Sequence, residues 1–385
     1  MRAKVCNPAW ISTQRITAAV LFVVLALVLS SPRLPSAAAR SSAARSGCDV
    51  HISVLGLFHP KQFVVSATEG HALVLHTDQS TEVLEQTSGL MSAMVELGAQ
   101  GMTLTTGPRS SFASEMTVSG RTGEPVDFNL AIPGKITRRY HGTLEIHPSG
   151  DALLAILKVD IESAVASVVS SESIPDTPLE ALKAQAIAAR SYFVSGRGRH
   201  DGFDFCDTTH CQTFRELPAA DSLAVQAAAQ TRSMVLTYKH LPVTALYTRS
   251  CSGRTRTPSE LGMSSGSYPY YSVDCQYCRI HPARWTSRLP ILDSAALHSS
   301  DEPSRIKTVR RRGWNSVPSN DFASKKDGGQ LLLQGTGYGH GIGLCQSGAR
   351  AMARAGAGYQ EILDHYYPNT SLISLPNGAL IQPLD

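Results

Sequence analysis

Residues 140–172 read YHGTLEIHPSGDALLAILKVDIESAVASVVSSE, and the fold class turns on a change of rhythm inside them. In the first part, GTLEIHP alternates apolar and polar residues with a period of two, and Pro148-Ser149-Gly150-Asp151 is a hairpin turn. Near residue 160 the period changes. Ile161, Val165, Val168 and Val169 stand at helical spacing, and Ser173-Ile174-Pro175-Asp176-Thr177-Pro178 closes the segment.

Upstream, from Asp49, short β-branched runs such as DVHISVLGLF, QFVVSA, HALVLHT and GMTLTTG are separated by turn signals and predict strands. Downstream, a second helix is expected from Leu179 to about Ser195, rich in alanines that allow close packing, with Thr177 as its cap and Pro178 at its first position. DSLAVQAAAQTR predicts a third helix, and SMVLTYKHLPVTALYT two strands joined at Lys239-His240. Residues 250–333 are rich in Ser, Pro, Gly and Arg and read as irregular, ending in a strand, QLLLQG. SGARAMARAGAGYQEILDHYY is helical, with Gly356 and Gly358 expected to break it in two. The fold class is therefore α+β, a β-rich N-terminal lobe followed by a mixed helical and β lobe.

Residues 1–39 have the layout of a secretory signal peptide: Arg2, Lys4 and Arg15 precede an apolar run from Ile16 to Leu29, and small residues follow at 35–39. An uncleaved N-terminal anchor is the alternative. The segment carries four basic residues and no acid, so the remainder has a formal net charge of 0 rather than +4, which leaves no nucleic-acid footprint beyond the local Arg310-Arg311-Arg312. Seven cysteines remain in an exported context, an odd number that leaves at least one outside any internal disulfide.

Three groups of residues invite chemistry. In GTGYGHGIGLCQSG (335–348), glycine occupies every second place from Gly335 to Gly343; it lacks the register and the Lys-Ser/Thr of a phosphate loop. An extended run of this kind would present one bare face to another backbone, to the alanine-rich helix or to a flat ligand, with Tyr338 and His340 on the other. His200, Cys206, His210 and Cys211 offer four N/S ligands within twelve residues, suited to a structural zinc, the alternative being a Cys206–Cys211 disulfide. Cys251, Cys275, Cys278 and His281 form a candidate second set, for which a Cys251–Cys275 disulfide fits equally well, and Cys345 reads as a small buried thiol. Glu172 ends an apolar helix before a turn, where a carboxyl either projects into a cleft or is simply solvated.

VVSSESIPDTPLEALKAQAIAARSYF, CDTTHCQTF, VLTYKHLPVTALYTRSCSGRT and GTGYGHGIGLCQSGARAMARAGAGYQEILDHYYPNTSL resemble, in order, the signatures of the SpoIID/LytB family, the stage II sporulation protein D and amidase enhancer proteins. The resemblance spans residues 135–375, which divides the chain into a leader (1–39), a β-rich region (40–134), the SpoIID-like domain and a tail (376–385). It implies an exported lytic transglycosylase of the periplasm, cell wall or exterior, acting on peptide-stripped peptidoglycan glycan strands in cell-wall remodelling or sporulation-type processes, with a cell-wall amidase as candidate partner. The alternative is a non-catalytic glycan-binding amidase enhancer. The family's catalytic glutamate aligns with Glu172, although Ser173 stands where the family usually has Met. The resemblance also favours zinc at His200, Cys206, His210 and Cys211. It suggests a long substrate groove between the lobes, lined by Glu172 and the glycine run, with Tyr338, His340 and Gln346 as candidate sugar contacts.

Overall fold

The computed structural model describes residues 49–266, 268–290, 304, 306–307 and 311–375. The leader expected at 1–39, Cys48, Arg310 and the tail at 376–385 lie outside the described residues. The chain is α+β. Its N-terminal strands are β1 (Asp49–Val54), β2 (Gln62–Ala67), β3 (Leu73–Thr77), β4 (Thr81–Leu84), β5 (Ser92–Gly98), β6 (Gly101–Thr106), β7 (Arg109–Ala113), β8 (Met116–Ser119), β9 (Val126–Ile132), β10 (Ile136–Ser149) and β11 (Ala152–Asp160). With β12 (Phe205–Cys206) they form one curled sheet whose main path runs β12-β1-β11-β10-β9-β2-β5-β6-β7, while β8, β3 and β4 branch from the second half of β10.

The curl originates in β10, which serves two partners along one edge: residues 136–142 pair with β9 and 144–146 with β8. The handover falls at Gly142, φ 151°, where a Cβ would lie 2.4 Å from the carbonyl oxygen of Lys158, so only glycine fits. Pairing of β9 with β10 also carries the sheet without a break across residues 134 and 135. The expected turn after β10 is present, with Ser149 opposite Ala152 across Gly150-Asp151. Strict alternation of burial in β2, β6 and β9 gives the sheet one hidden face. That face packs on α1 (Ile161–Glu172), α2 (Leu179–Ser195) and α3 (Leu223–Gln230).

The helix α2 departs from a single apolar stripe: from Ala181 to Val194 every residue but Lys183 is buried. The cause is that it belongs to two cores. Leu182, Ala186, Ala189 and Phe193 meet the sheet, while Ala181, Ala184, Ile187 and Ala188 meet the C-terminal half. Thr177 does not cap it, because Pro178 is extended and takes the cap position, and the Thr177 hydroxyl donates instead to the Ile174 carbonyl at 2.6 Å. Within the helix, Arg190 is 1% exposed and fully engaged, donating to Glu162 of α1 at 2.6 and 3.0 Å, to the Ala228 carbonyl of α3 at 3.2 Å and to the Met234 carbonyl at 3.1 Å.

The C-terminal half contains the hairpin β13 (Met234–Tyr238) and β14 (Leu241–Pro242), joined as expected through Lys239 and His240, both at positive φ. Then come β15 (Tyr247–Thr248), α4 (Gln276–Ile280), β16 (Arg284–Pro290), β17 (Asp321–Asp327), β18 (Gln330–Thr336), β19 (Leu344–Cys345), α5 (Gln346–Arg354), α6 (Tyr359–Tyr366) and β20 (Ser371–Ser374), which pairs with β13. Gly356 and Gly358 fall between α5 and α6, as the sequence predicts. The stretch read as irregular is not wholly so: β16, β18 and β17 form an antiparallel sheet with its own core of Trp285, Leu289, Val317, Phe322, Leu331 and Leu333. Its outer strands are rich in Arg, Lys and Ser, which hid the alternation. No helix among the described residues is long and apolar enough to cross a membrane.

Candidate functional site

Glu172 is the last residue of α1, a helix fixed at its other end by Asp160, whose carboxylate accepts from the amides of Glu162 and Ser163. The half-buried Glu172 side chain meets residues from three later segments. Its Oε1 accepts from the Thr213 amide at 2.7 Å, its Oε2 faces the Tyr247 hydroxyl, and its main-chain carbonyl accepts from Gln346 Nε2 at 2.9 Å. Tyr247 Oη also lies 2.9 Å from Gln212 Oε1, and Gln212 Nε2 donates to the Ala189 carbonyl at 3.2 Å.

A phenol has one proton, so the arrangement has two consistent forms. With Glu172 ionised, Tyr247 donates to it; with Glu172 protonated, Glu172 donates to Tyr247 and Tyr247 to Gln212. Burial, and then the Glu172 charge, push the Tyr247 phenol well above its ordinary range, so it remains a donor.

Of the residues singled out in the glycine run, Gln346 reaches Glu172, whereas Tyr338 and His340 are engaged elsewhere. The Tyr338 main chain exchanges hydrogen bonds with Ser250 at 2.8 and 3.1 Å, and His340 Nδ1 accepts from the Ile342 amide at 3.0 Å. The run is not an extended strand with one bare face. Gly337, Gly339, Gly341 and Gly343 all have φ between 71° and 96°, and the chain lies against residues 246–252 rather than the alanine-rich helix. A Cβ on Gly343 would fall 1.8 Å from the Leu246 carbonyl oxygen, and one on Gly339 2.5 Å from Thr248 Oγ1. This contact lets β19 pair in parallel with β15, opposing Tyr247 to Leu344 and Thr248 to Cys345, and so brings Tyr247 and Gln346 to one place. A cavity of about 330 Å³ lies instead over the β16–β18–β17 sheet, lined by Trp285, Asp321, Phe322 and Gly335; Trp285 is part of that sheet's core.

His200, Cys206, His210 and Cys211 do converge. Cys206 and Cys211 are both free, with their sulfurs 3.4 Å apart. His200 Nε2 lies 3.2 Å from Cys211 Sγ, and His210 Nδ1 is 3.7 and 3.6 Å from the two sulfurs. Zinc–ligand bonds of roughly 2.0 and 2.3 Å put tetrahedral N···S edges at about 3.6 Å, so these four donors fit such a shell. Cys206 is anchored by β12, parallel to β1, and the residues immediately after Cys211 are Gln212 and Thr213.

The second set is corrected in its fourth member. Cys251, Cys275, Cys278 and Cys345 lie with their sulfurs all within 4.8 Å of one another, and Cys345 is no isolated thiol. His281 stands outside, exposed just past the end of α4, where the backbone leaves the helix and its ring rests against Tyr277. Sequence reasoning missed Thr213, Gln212 and Tyr247, although all lie in the stretches that resemble the family. Their signal is positional only, since none carries a charge.

Residues 149–238 match the sequence model described as stage II sporulation protein, SpoIID. An uncharacterized protein of Brachyspira hyodysenteriae is 29% identical over 61% of this chain and 72% of its own length. The amidase enhancer of Bacillus subtilis is 28% identical over 54% of this chain but only 40% of that longer protein. The stage II sporulation protein D of Bacillus amyloliquefaciens is 24% identical over 57% of this chain and 75% of its own.

Proposed function

The chain belongs to the SpoIID/LytB family and has a cell-wall-related function, and from that premise we propose that it is an exported lytic transglycosylase with Glu172 as its acid and base. The observation that carries this reading is the half-buried Glu172 carboxyl at the end of α1, oriented by the Thr213 amide and the Tyr247 hydroxyl. Glu172 gives its proton to the glycosidic oxygen between N-acetylmuramic acid and N-acetylglucosamine as the C1–O bond breaks. The 6-hydroxyl of the same muramic residue forms the new bond to C1, and its proton returns to Glu172. No water is consumed and no second carboxylate is needed, unlike an ordinary glycosidase. The product is a 1,6-anhydro end.

Tyr247 and Thr213 orient the carboxyl, and Gln346 fixes the end of the helix that carries it. Tyr338 and His340, within the glycine run and without a contact to Glu172, are candidates for more distant sugar units. His200, Cys206, His210 and Cys211 would hold a zinc ion whose shell they complete, so its contribution is to fix the loop that ends in Gln212 and Thr213. The test uses purified protein and peptide-free glycan strands. Anhydro-muramic ends detected by mass spectrometry, and lost in Glu172→Gln with the melting temperature unchanged, support the enzyme. Strand binding without new ends would favour instead the alternative, a non-catalytic glycan-binding protein that enhances an amidase.

A further inference from the structure

We propose that Cys251, Cys275, Cys278 and Cys345 form a second metal site, a closed tetrathiolate shell for one zinc ion. The four thiols come from three segments: the turn after β15, the Cys-x2-Cys of α4, and the last residue of β19. All are at most 2% exposed, all are free, and Cys278 Sγ lies 3.5 Å from Cys345 Sγ. A ZnS4 tetrahedron with bonds of about 2.3 Å has S···S edges of about 3.8 Å, and a cluster in which every sulfur is within 4.8 Å of the others encloses one ion of that size. All-sulfur donors select a soft or borderline ion, and four protein ligands leave no position open for chemistry.

The surroundings suit thiolates. The Cys251 amide donates to Cys345 Sγ at 3.3 Å, Ser250 Oγ lies 3.5 Å from Cys278 Sγ, and Tyr366 Oη 3.5 Å from Cys275 Sγ, donors of the kind that spread the charge of metal-bound sulfur. Cys345 is also the N-cap of α5, where the helix dipole favours negative charge. The cage needs bare backbone beside it: a Cβ on Gly348 would fall 2.6 Å from Cys275 Sγ and 2.0 Å from Tyr366 Oη. An ion here would tie the segment just after Tyr247 to the residue just before Gln346.

This inference does not depend on the glycan-cleaving reading, and its test has no activity readout. Full-length protein, purified without reductant or chelator, is analysed for metal by mass spectrometry and for zinc ligation by X-ray absorption. With both sets filled, about two zinc ions per chain and an average of about three sulfurs per zinc are expected, falling to about one zinc and two sulfurs in Cys278→Ser. If only the cysteine set is filled, one zinc with four sulfurs appears, which equally supports the site. A wild-type protein with no zinc bound by more than two sulfurs, iron in place of zinc, or disulfides mapped by peptide mass spectrometry to Cys251, Cys275, Cys278 and Cys345 would overturn it. The absorption spectrum of the wild type decides the matter even where the variant fails to fold.

Discussion

At the scale of single residues, the Glu172 carboxyl is shaped by uncharged neighbours. Tyr247→Phe removes one hydroxyl and leaves the ring, so the fold is retained while the carboxyl loses a hydrogen bond of the charged class. The turnover number on glycan strands is expected to fall on the order of 10- to 100-fold, the equivalent of roughly 1.5–3 kcal/mol, with little change in melting temperature. Glu172 stood out by closing an apolar helix, but its position left a solvated carboxyl as open as one facing a cleft, and only the family resemblance singled it out. Tyr247, Gln212 and Thr213 did not stand out, since a neutral side chain or a main-chain amide acquires a role only when the fold brings it to an acid. The candidate metal ligands divide in the same way. Four donors within twelve residues could be grouped from spacing, but Cys345 is 94 residues from Cys251 and joins it only through the pairing of β19 with β15.

Among elements, α2 shows how a helix is docked from both ends of the chain. Glu180 in its first turn accepts from Lys183 at 2.6 Å and from the Tyr359 amide of α6 at 3.0 Å. The Lys183 hydrogen bond, aided by the Tyr359 amide, lowers its pKa below 4.5 despite some burial. A depressed carboxylate stabilises the folded state above the unfolded value and ceases to do so as the pH falls through the folded one. Wild type is therefore expected to exceed Glu180→Gln in urea unfolding midpoint at pH 7, with the difference closing well below pH 4.5. The β-branched runs of β2 and β6, the rhythm of two in the GTLEIHP of β10 and that of 3.6 in α1 made these elements legible. By contrast, β16 and β17 escaped notice because Arg, Lys and Ser crowd them and leave few core residues in each, Trp285 and Leu289 in β16 and Phe322 in β17.

For the whole molecule, the joint between the sheet and the C-terminal half passes through Arg190, which holds α1, α2, α3 and the start of β13 together. Arg190→Met strands the Glu162 carboxylate, only 12% exposed, and two main-chain carbonyls, those of Ala228 and Met234; it is expected to cost about 3–5 kcal/mol, read from chemical denaturation. The groups that frame Glu172 also have a consequence in time. They lie at 212–213, 247 and 346, up to 174 residues from the acid they serve, and such distant contacts close late because the intervening chain must first lose its freedom. A chain that has folded only through its sheet and first helices already carries Glu172, yet lacks Tyr247 and Gln346. The proposed acid is thus present from early in folding, and it meets its hydrogen-bonding partners only when the C-terminal half of the protein has come home.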